Sequence, residues 1–135
     1  MADNSGRTDL AVGDIAESGE TIAEYTAGGS ITKGQVVAFS GSLTVVAASA
    51  ATDQTAGVAL KSASSGQVLP VLVKGVVKVT AGGAITVGNV VTGGTAGKVL
   101  VVGGTWAATM AGAMLGQALN AASADGDLIL VRVNK

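Results

Sequence analysis

The chain has 135 residues, 48% of them apolar, with 21 glycines, eight basic and nine acidic side chains, and neither histidine nor cysteine. That length suits one domain with a real core. The two missing residue types exclude a disulfide framework, a Cys/His zinc site, a thiol nucleophile and a Ser-His-Asp triad.

The first segment is acidic. Residues 1–24 hold Asp3, Asp9, Asp14, Glu17, Glu20 and Glu24 against Arg7 alone, a net −5, while the rest carries seven basic residues against three acidic ones, a net +4. Such a split marks an N-terminal arm over residues 1–20, solvated or docked, on a mildly basic body at 21–135. Arg7, Leu10, Val12, Asp14 and Ile15 are its candidate binding residues. Leu10-Ala11-Val12 has the character of a strand that adds to an exposed edge on a partner, and the surrounding acids would steer it to a basic patch. Met1 to Gly6 is polar and lacks an apolar stretch, so no signal peptide is expected. Glu17 and Glu20 sit beside Ser18 and Gly19 and read as solvated surface rather than as a general acid/base pair. Tyr25, where arm meets body, reads either as a core residue or as an interface anchor.

From residue 26 the chain repeats itself. Thr26-Ala27-Gly28-Gly29-Ser30-Ile31-Thr32-Lys33-Gly34-Gln35-Val36-Val37 recurs as Thr80-Ala81-Gly82-Gly83-Ala84-Ile85-Thr86-Val87-Gly88-Asn89-Val90-Val91, with nine of twelve positions identical. Three further blocks follow in the same order. Gly41 to Val46 aligns with Gly97 to Val102, Gly57-Val58-Ala59-Leu60 with Gly116-Gln117-Ala118-Leu119, and Leu69, Val71, Val73 with Ile129, Val131, Val133. The two repeats span about 26–79 and 80–134.

Each repeat reads as a glycine turn, an Ile-Thr-x-Gly-x-Val-Val strand, a short glycine-led strand, a Gly-x-Ala-Leu strand and a closing strand. Valine and threonine favour the pleated chain, and glycine supplies the turns. In the closing strands Ile129, Val131 and Val133 face one side against Arg132 and Asn134. Val73, Val77 and Val79 likewise oppose Lys74 and Lys78. Ser64-Ser65-Gly66 and Asp125-Gly126 mark turns, and Pro70 sits where its strand begins or at a sheet edge. The expected fold is all-β: a small, internally duplicated β-barrel or β-clip-like domain with an N-terminal arm.

No constellation in the second repeat carries chemistry. Gly93-Gly94-Thr95-Ala96-Gly97-Lys98-Val99 resembles a phosphate loop but has Thr92 where the first glycine belongs and Val99 in place of the final Ser/Thr, so a hairpin turn is expected. Asp125 and Asp127 lack the further oxygen ligands of a calcium loop and read as turn residues. Lys98 at a turn invites comparison with the modified lysine of carrier-type β domains, but its flanks differ. Trp106 reads as a core cap or, like Tyr25, as an interface anchor. Val99 to Ala124 is uncharged for 26 residues, yet its glycines, Gln117 and Asn120, and its match to an earlier strand segment, favour β structure over a membrane helix. The basic residues are dispersed without interleaved aromatics, so no nucleic-acid binding is expected. A non-enzymatic protein without cofactor or metal is the outcome.

The residues then resemble a family. Ala56-Gly57-Val58-Ala59-Leu60, Ala63-Ser64-Ser65-Gly66-Gln67-Val68-Leu69-Pro70-Val71 and Lys74-Gly75-Val76-Val77 look like the core of the capsid cement proteins of tailed phages. The run from Ala81 to Val91 fits as well, as does Leu115-Gly116-Gln117-Ala118-Leu119 with Asp125-Gly126-Asp127, so the likeness covers roughly residues 10–134. It implies a role similar to that of the trimeric head decoration proteins of lambdoid phages. The chain would be made in the host cytoplasm and bind the exterior of the mature capsid. Its partner would be the major capsid protein, and it would act as a homo-oligomer: a trimer, with a dimer as the alternative. A tail, fibre or surface-layer β module and a carrier-type β domain are the competing readings.

Overall fold

The computed structural model describes residues 12–13, 15–50, 53–102 and 113–135, with the backbone course alone for 15–20 and 22–24. Nine strands fill it: β1 (Ile15–Ala27), β2 (Val36–Gly41), β3 (Thr44–Ala47), β4 (Thr55–Ala59), β5 (Val68–Thr80), β6 (Val90–Gly93), β7 (Val99–Val101), β8 (Met114–Ala118) and β9 (Leu128–Asn134). Among the described residues there is no α-helix, only a 3-10 turn at Thr95–Gly97. None of these elements is a helix long and apolar enough to cross a membrane.

The strands run in the order β1-β3-β2-β4-β5-β9-β8-β6-β7, and β1 also pairs with β5, which closes the first five into a barrel. The remaining four, together with the end of β5, repeat the design. Ala81, one residue past β5, bridges in parallel to Val99 of β7, as Thr26 and Ala27 of β1 pair in parallel with Thr44 and Val45 of β3. Strand β5 therefore closes the first half and opens the second. Strand β1 pairs along it from Val68 to Val77, while β4 pairs with it at Val71 and Leu72 and β9 from Lys74 to Thr80. A strand flanked by two cores must be apolar on both faces, which is why Val71, Leu72, Val76, Val77 and Val79 are all buried and why valine and leucine fill eight of its thirteen positions.

The halves match down to single hydrogen bonds. Gly34 donates to the Ala59 carbonyl, and Gly88 donates to that of Ala118. Gly66 and Gly126 donate to the Ala27 and Ala81 carbonyls, and Ala63 and Ala122 to those of Ile31 and Ile85. In each Ile-Thr-x-Gly turn the threonine N–H donates to a side-chain amide oxygen three residues on: Thr32 to Gln35 Oε1 at 2.9 Å and Thr86 to Asn89 Oδ1 at 2.8 Å. Gly34 (φ +92°) and Gly88 (φ +88°) occupy the left-handed backbone region that such a turn requires.

Register corrects one part of the sequence alignment. Val45 pairs with Ala27 and Val99 with Ala81, while Phe39 faces Val45 and Gly93 faces Val99. The counterpart of Gly97 is thus Leu43 rather than Gly41, and that of Val99 is Val45. Pro70 lies near the start of β5, and the register slip in β1 between Ile22, opposite Val71, and Tyr25, opposite Leu69, falls across it. A residue without an N–H gives β1 no ladder bond there.

Two cores result. The first barrel encloses Tyr25, Ala27, Ile31, Val37, Val45, Leu69 and Val71 with small alanines. The second encloses the matching Val79, Ala81, Ile85, Val91, Val99, Ile129 and Val131, and adds Val36, Ala48, Val58 and Leu72 from the outer wall of the first. Each fully buried aliphatic side chain contributes roughly 1.5–3 kcal/mol, so stability is spread over many small residues rather than a few aromatics. As expected, Ile129, Val131 and Val133 are buried while Arg132 and Asn134 are exposed. Lys78, on the face opposite Val77 and Val79, is only 1% exposed, a buried charge that alternation alone did not reveal.

Candidate interaction surfaces

Of the arm residues singled out in the sequence, Arg7, Leu10 and Asp14 lie outside the described residues, as does Trp106. Val12 is half-buried, and a methyl group on Gly34 would overlap its side chain, so the arm enters the body against the first Ile-Thr-x-Gly turn. Gly13 N–H donates to the Lys78 carbonyl at 2.7 Å. Ile15 then starts β1 opposite Val77, with Glu17 opposite Val76 and Glu20 opposite Lys74. Residues 15–20 of the acidic segment are therefore strand, laid antiparallel on β5.

Tyr25 is 5% exposed and inside the first barrel, its ring meeting Phe39 edge-on with centroids 5.8 Å apart. Phe39 itself is 48% exposed, and Leu43, on the turn that follows, is 64% exposed. Neither stood out in the sequence. The signal that marks them is their place in the repeat, where the second half has Gly93 and Gly97. Val68, Val87 and Val90 are the other large apolar side chains left open to solvent among the described residues. Val90 joins Met114, Gly116, Gln117, Arg132 and Asn134 in lining a groove of about 310 Å³ on the outer face of β6, β8 and β9.

The polar residues that could have carried chemistry hold turns together. Asp127 Oδ2 accepts from the Ser123 N–H at 2.9 Å, from the Ser123 hydroxyl at 2.8 Å and from the Ala124 N–H at 3.3 Å. Lys98 Nζ pairs with Asp125 Oδ1 at 2.9 Å, tying the β6–β7 hairpin, which carries the glycine-rich run, to the β8–β9 connection. Asp53 Oδ2 caps its own loop, accepting from the N–H groups of Ser49 at 2.8 Å and Ala50 at 3.2 Å. The Ser49 N–H above all holds its carboxyl below the usual carboxylate range; burial opposes it, and the Ala50 N–H and the Ser49 hydroxyl add to the lowering.

Comparisons with known proteins fit this architecture. A family model described as "Phage cement protein" matches residues 16–133. Among solved structures, the head fiber gp8.5 N base of bacteriophage phi29 superposes with a TM-score of 0.61 at 20% identity, over 85% of this chain and 95% of that one. Among curated proteins, none matches the chain.

Proposed function

The chain belongs to the phage cement protein family and is a structural component of a phage particle, and from that premise we propose that it binds the outside of the mature head and stabilises contacts between capsomers, without catalysing a reaction. The observation that carries this reading is the match to the cement family over nearly the whole barrel pair, residues 16–133. It is supported by a body whose polar clusters, Asp127 with Ser123 and Lys98 with Asp125, serve turns rather than a reacting centre.

A ligand that prefers the expanded shell stabilises that state by its differential affinity for it. A compact β body seated where capsomers meet touches several of them at once, and a homo-oligomer, which we take to be a trimer, multiplies weak contacts through effective concentration. The major capsid protein is the partner. The acidic segment supplies the approach, with Arg7, Leu10, Val12, Asp14 and Ile15 at the attachment. Co-sedimentation with expanded and unexpanded empty heads tests the proposal: binding to expanded heads, with raised resistance of those heads to heat, is the expected result. Equal binding to both shells, or none, overturns it.

The phi29 neighbour, by its name the base of a head fiber, favours a second reading in which this body is the capsid-bound base of a longer appendage. Electron microscopy of particles with and without the chain separates the two, since a base carries a projection and a cement does not.

A further inference from the structure

The two halves of the chain are joined by an interface whose two sides each have an unused copy. On one side stands the outer wall of the first barrel: Val36, Val58 and Leu72, none of which is exposed because the second core covers them. On the other side stands the β6–β7 hairpin. A methyl group on Gly93 would come within 2.7 Å of Ala48 Cβ and 3.0 Å of Val36 Cγ1. Gly97 N–H donates to the Ala48 carbonyl at 2.9 Å, and Gln35 Nε2 donates to the Ala96 carbonyl at 2.9 Å.

Register gives the counterpart of each side. Val36 pairs with Val58 and Val58 with Leu72; in the second half Val90 pairs with Gln117 and Gln117 with Arg132. This second wall is open to solvent and holds the groove lined by Val90, Met114, Gln117 and Arg132. The counterparts of Gly93 and Gly97 are Phe39 and Leu43, two of the most exposed large apolar side chains among the described residues. Leu43 keeps the left-handed backbone of Gly97, φ +48° against +70°, so the hairpin shape is retained while side chains have been added to it.

We propose that copies of this chain associate head to tail, the Phe39–Leu43 hairpin of one copy seating in the Val90–Met114–Gln117–Arg132 groove of the next and repeating between molecules the contact that joins the halves within one. The differences between the two versions are complementary. The internal hairpin is glycine against a filled aliphatic wall. The external hairpin carries a phenylalanine and a leucine, and the wall it meets has a groove in place of filled packing. Arg132 stands where Leu72 would be and offers a guanidinium to an aromatic face. Gln117 in place of Val58 makes this wall more polar than the internal one, as suits molecules that also exist apart. A contact between two different faces propagates, and it closes into a ring where the rotation permits.

Sedimentation velocity and light scattering on the full chain, without capsids, test this, so that a failure here leaves the cement reading standing. Wild-type chain is expected to be oligomeric. Leu43→Asn, which keeps a residue tolerant of the left-handed backbone, paired with Phe39→Ser removes the hairpin side; Val90→Asp with Arg132→Glu removes the groove side. Each substitution is expected to weaken association by about tenfold or more. Both variants are expected to run as folded monomers with a cooperative melt, and their mixture to form a one-to-one dimer through the single intact pair of faces. A monomeric wild type at its highest soluble concentration overturns the proposal. So do variants that retain the wild-type mass, including any that lose only attachment to heads, which would assign the faces to the capsid.

Discussion

A methyl group on Gly116 would overlap the carbonyl oxygen of Arg132, and one on Gly57 would overlap that of Leu72 in the first half. Both glycines lie on the fourth strand of their half, where it runs against the closing strand, and the near-contact is with backbone, which cannot rotate away. Gly116→Ala is therefore expected to destabilise the fold by roughly 2–4 kcal/mol. A methyl group on Gly83 would meet nothing within 4 Å, and the backbone there is not left-handed, so Gly83→Ala should stay within about 0.5 kcal/mol of wild type. Urea midpoints for the two variants decide it, provided the slope is unchanged.

Strand β5 is common to both barrels, and this makes the halves one cooperative unit. Leu69 and Leu115 are both fully buried, one in each core. Leu69→Ala and Leu115→Ala should each cost about 2–5 kcal/mol through lost burial and the cavity left behind. Each should lower a single transition, because β5 cannot leave one barrel and stay in the other. Calorimetry showing a second, separable transition in either variant would count against a shared spine.

The repeat was legible because its turns need the same chemistry twice: Thr32 with Gln35 and Thr86 with Asn89 close the same hydrogen bond, and Gly34 and Gly88 share one backbone conformation. The alternation in β9 was legible for the same reason, since one face is core and the other solvent. Matching by identity misaligns the third strand of each repeat, because it sets glycine on glycine, Gly41 on Gly97. The chain instead places Leu43 in the left-handed position of Gly97, a substitution that identity penalises and geometry allows. Sharing of β5 was hidden because the two sequence repeats meet at Val79 and Thr80, the last residues of that strand, and pairing on both of its edges is a property of the assembled sheet. A tyrosine at the junction of arm and body suits a core or an interface equally, and the side chain of Tyr25 lies inside the first barrel, beside the exposed Phe39.

Asp53 supplies a pH dependence with a definite sign. The N–H groups of Ser49 and Ala50 and the Ser49 hydroxyl favour its ionised form in the folded chain, which holds its pKa below the ordinary value. The unfolded chain then binds a proton at higher pH than the folded one. The stabilisation is complete above the ordinary carboxylate pKa of about 3.9 and is lost as pH falls through the lower folded value. Asp53→Asn should melt slightly below wild type at pH 7, and the gap should shrink as the pH is lowered through the acid range. Melting temperatures of both proteins from pH 7 to pH 2 read this directly. A gap that persists unchanged at the lowest pH would mean that the carboxylate charge plays no part.

The acidic segment can be divided at the point where it joins the body. Val12 rests on Gly34 and Gly13 bonds to the Lys78 carbonyl, so removal of residues 1–11 spares every described contact. The melting temperature should stay within about 4 °C of wild type, the shift expected of less than 1 kcal/mol in a domain of this size. Removal of residues 1–17 also strips Gly13 and the pairings of Ile15 and Glu17 with β5, and should lower it further. If Arg7 and Leu10 take part in attachment, both truncations lose affinity for expanded heads, and the loss already present in the shorter one cannot be ascribed to a weakened barrel. If the acids steer the approach, the wild-type association rate should also fall as salt rises, because screening shortens the reach of exposed charge to about 8 Å at physiological ionic strength. Surface plasmon resonance with immobilised heads at several salt concentrations measures rate and affinity together. A salt-independent rate with undiminished binding of the shorter truncation would leave attachment to the barrel pair alone.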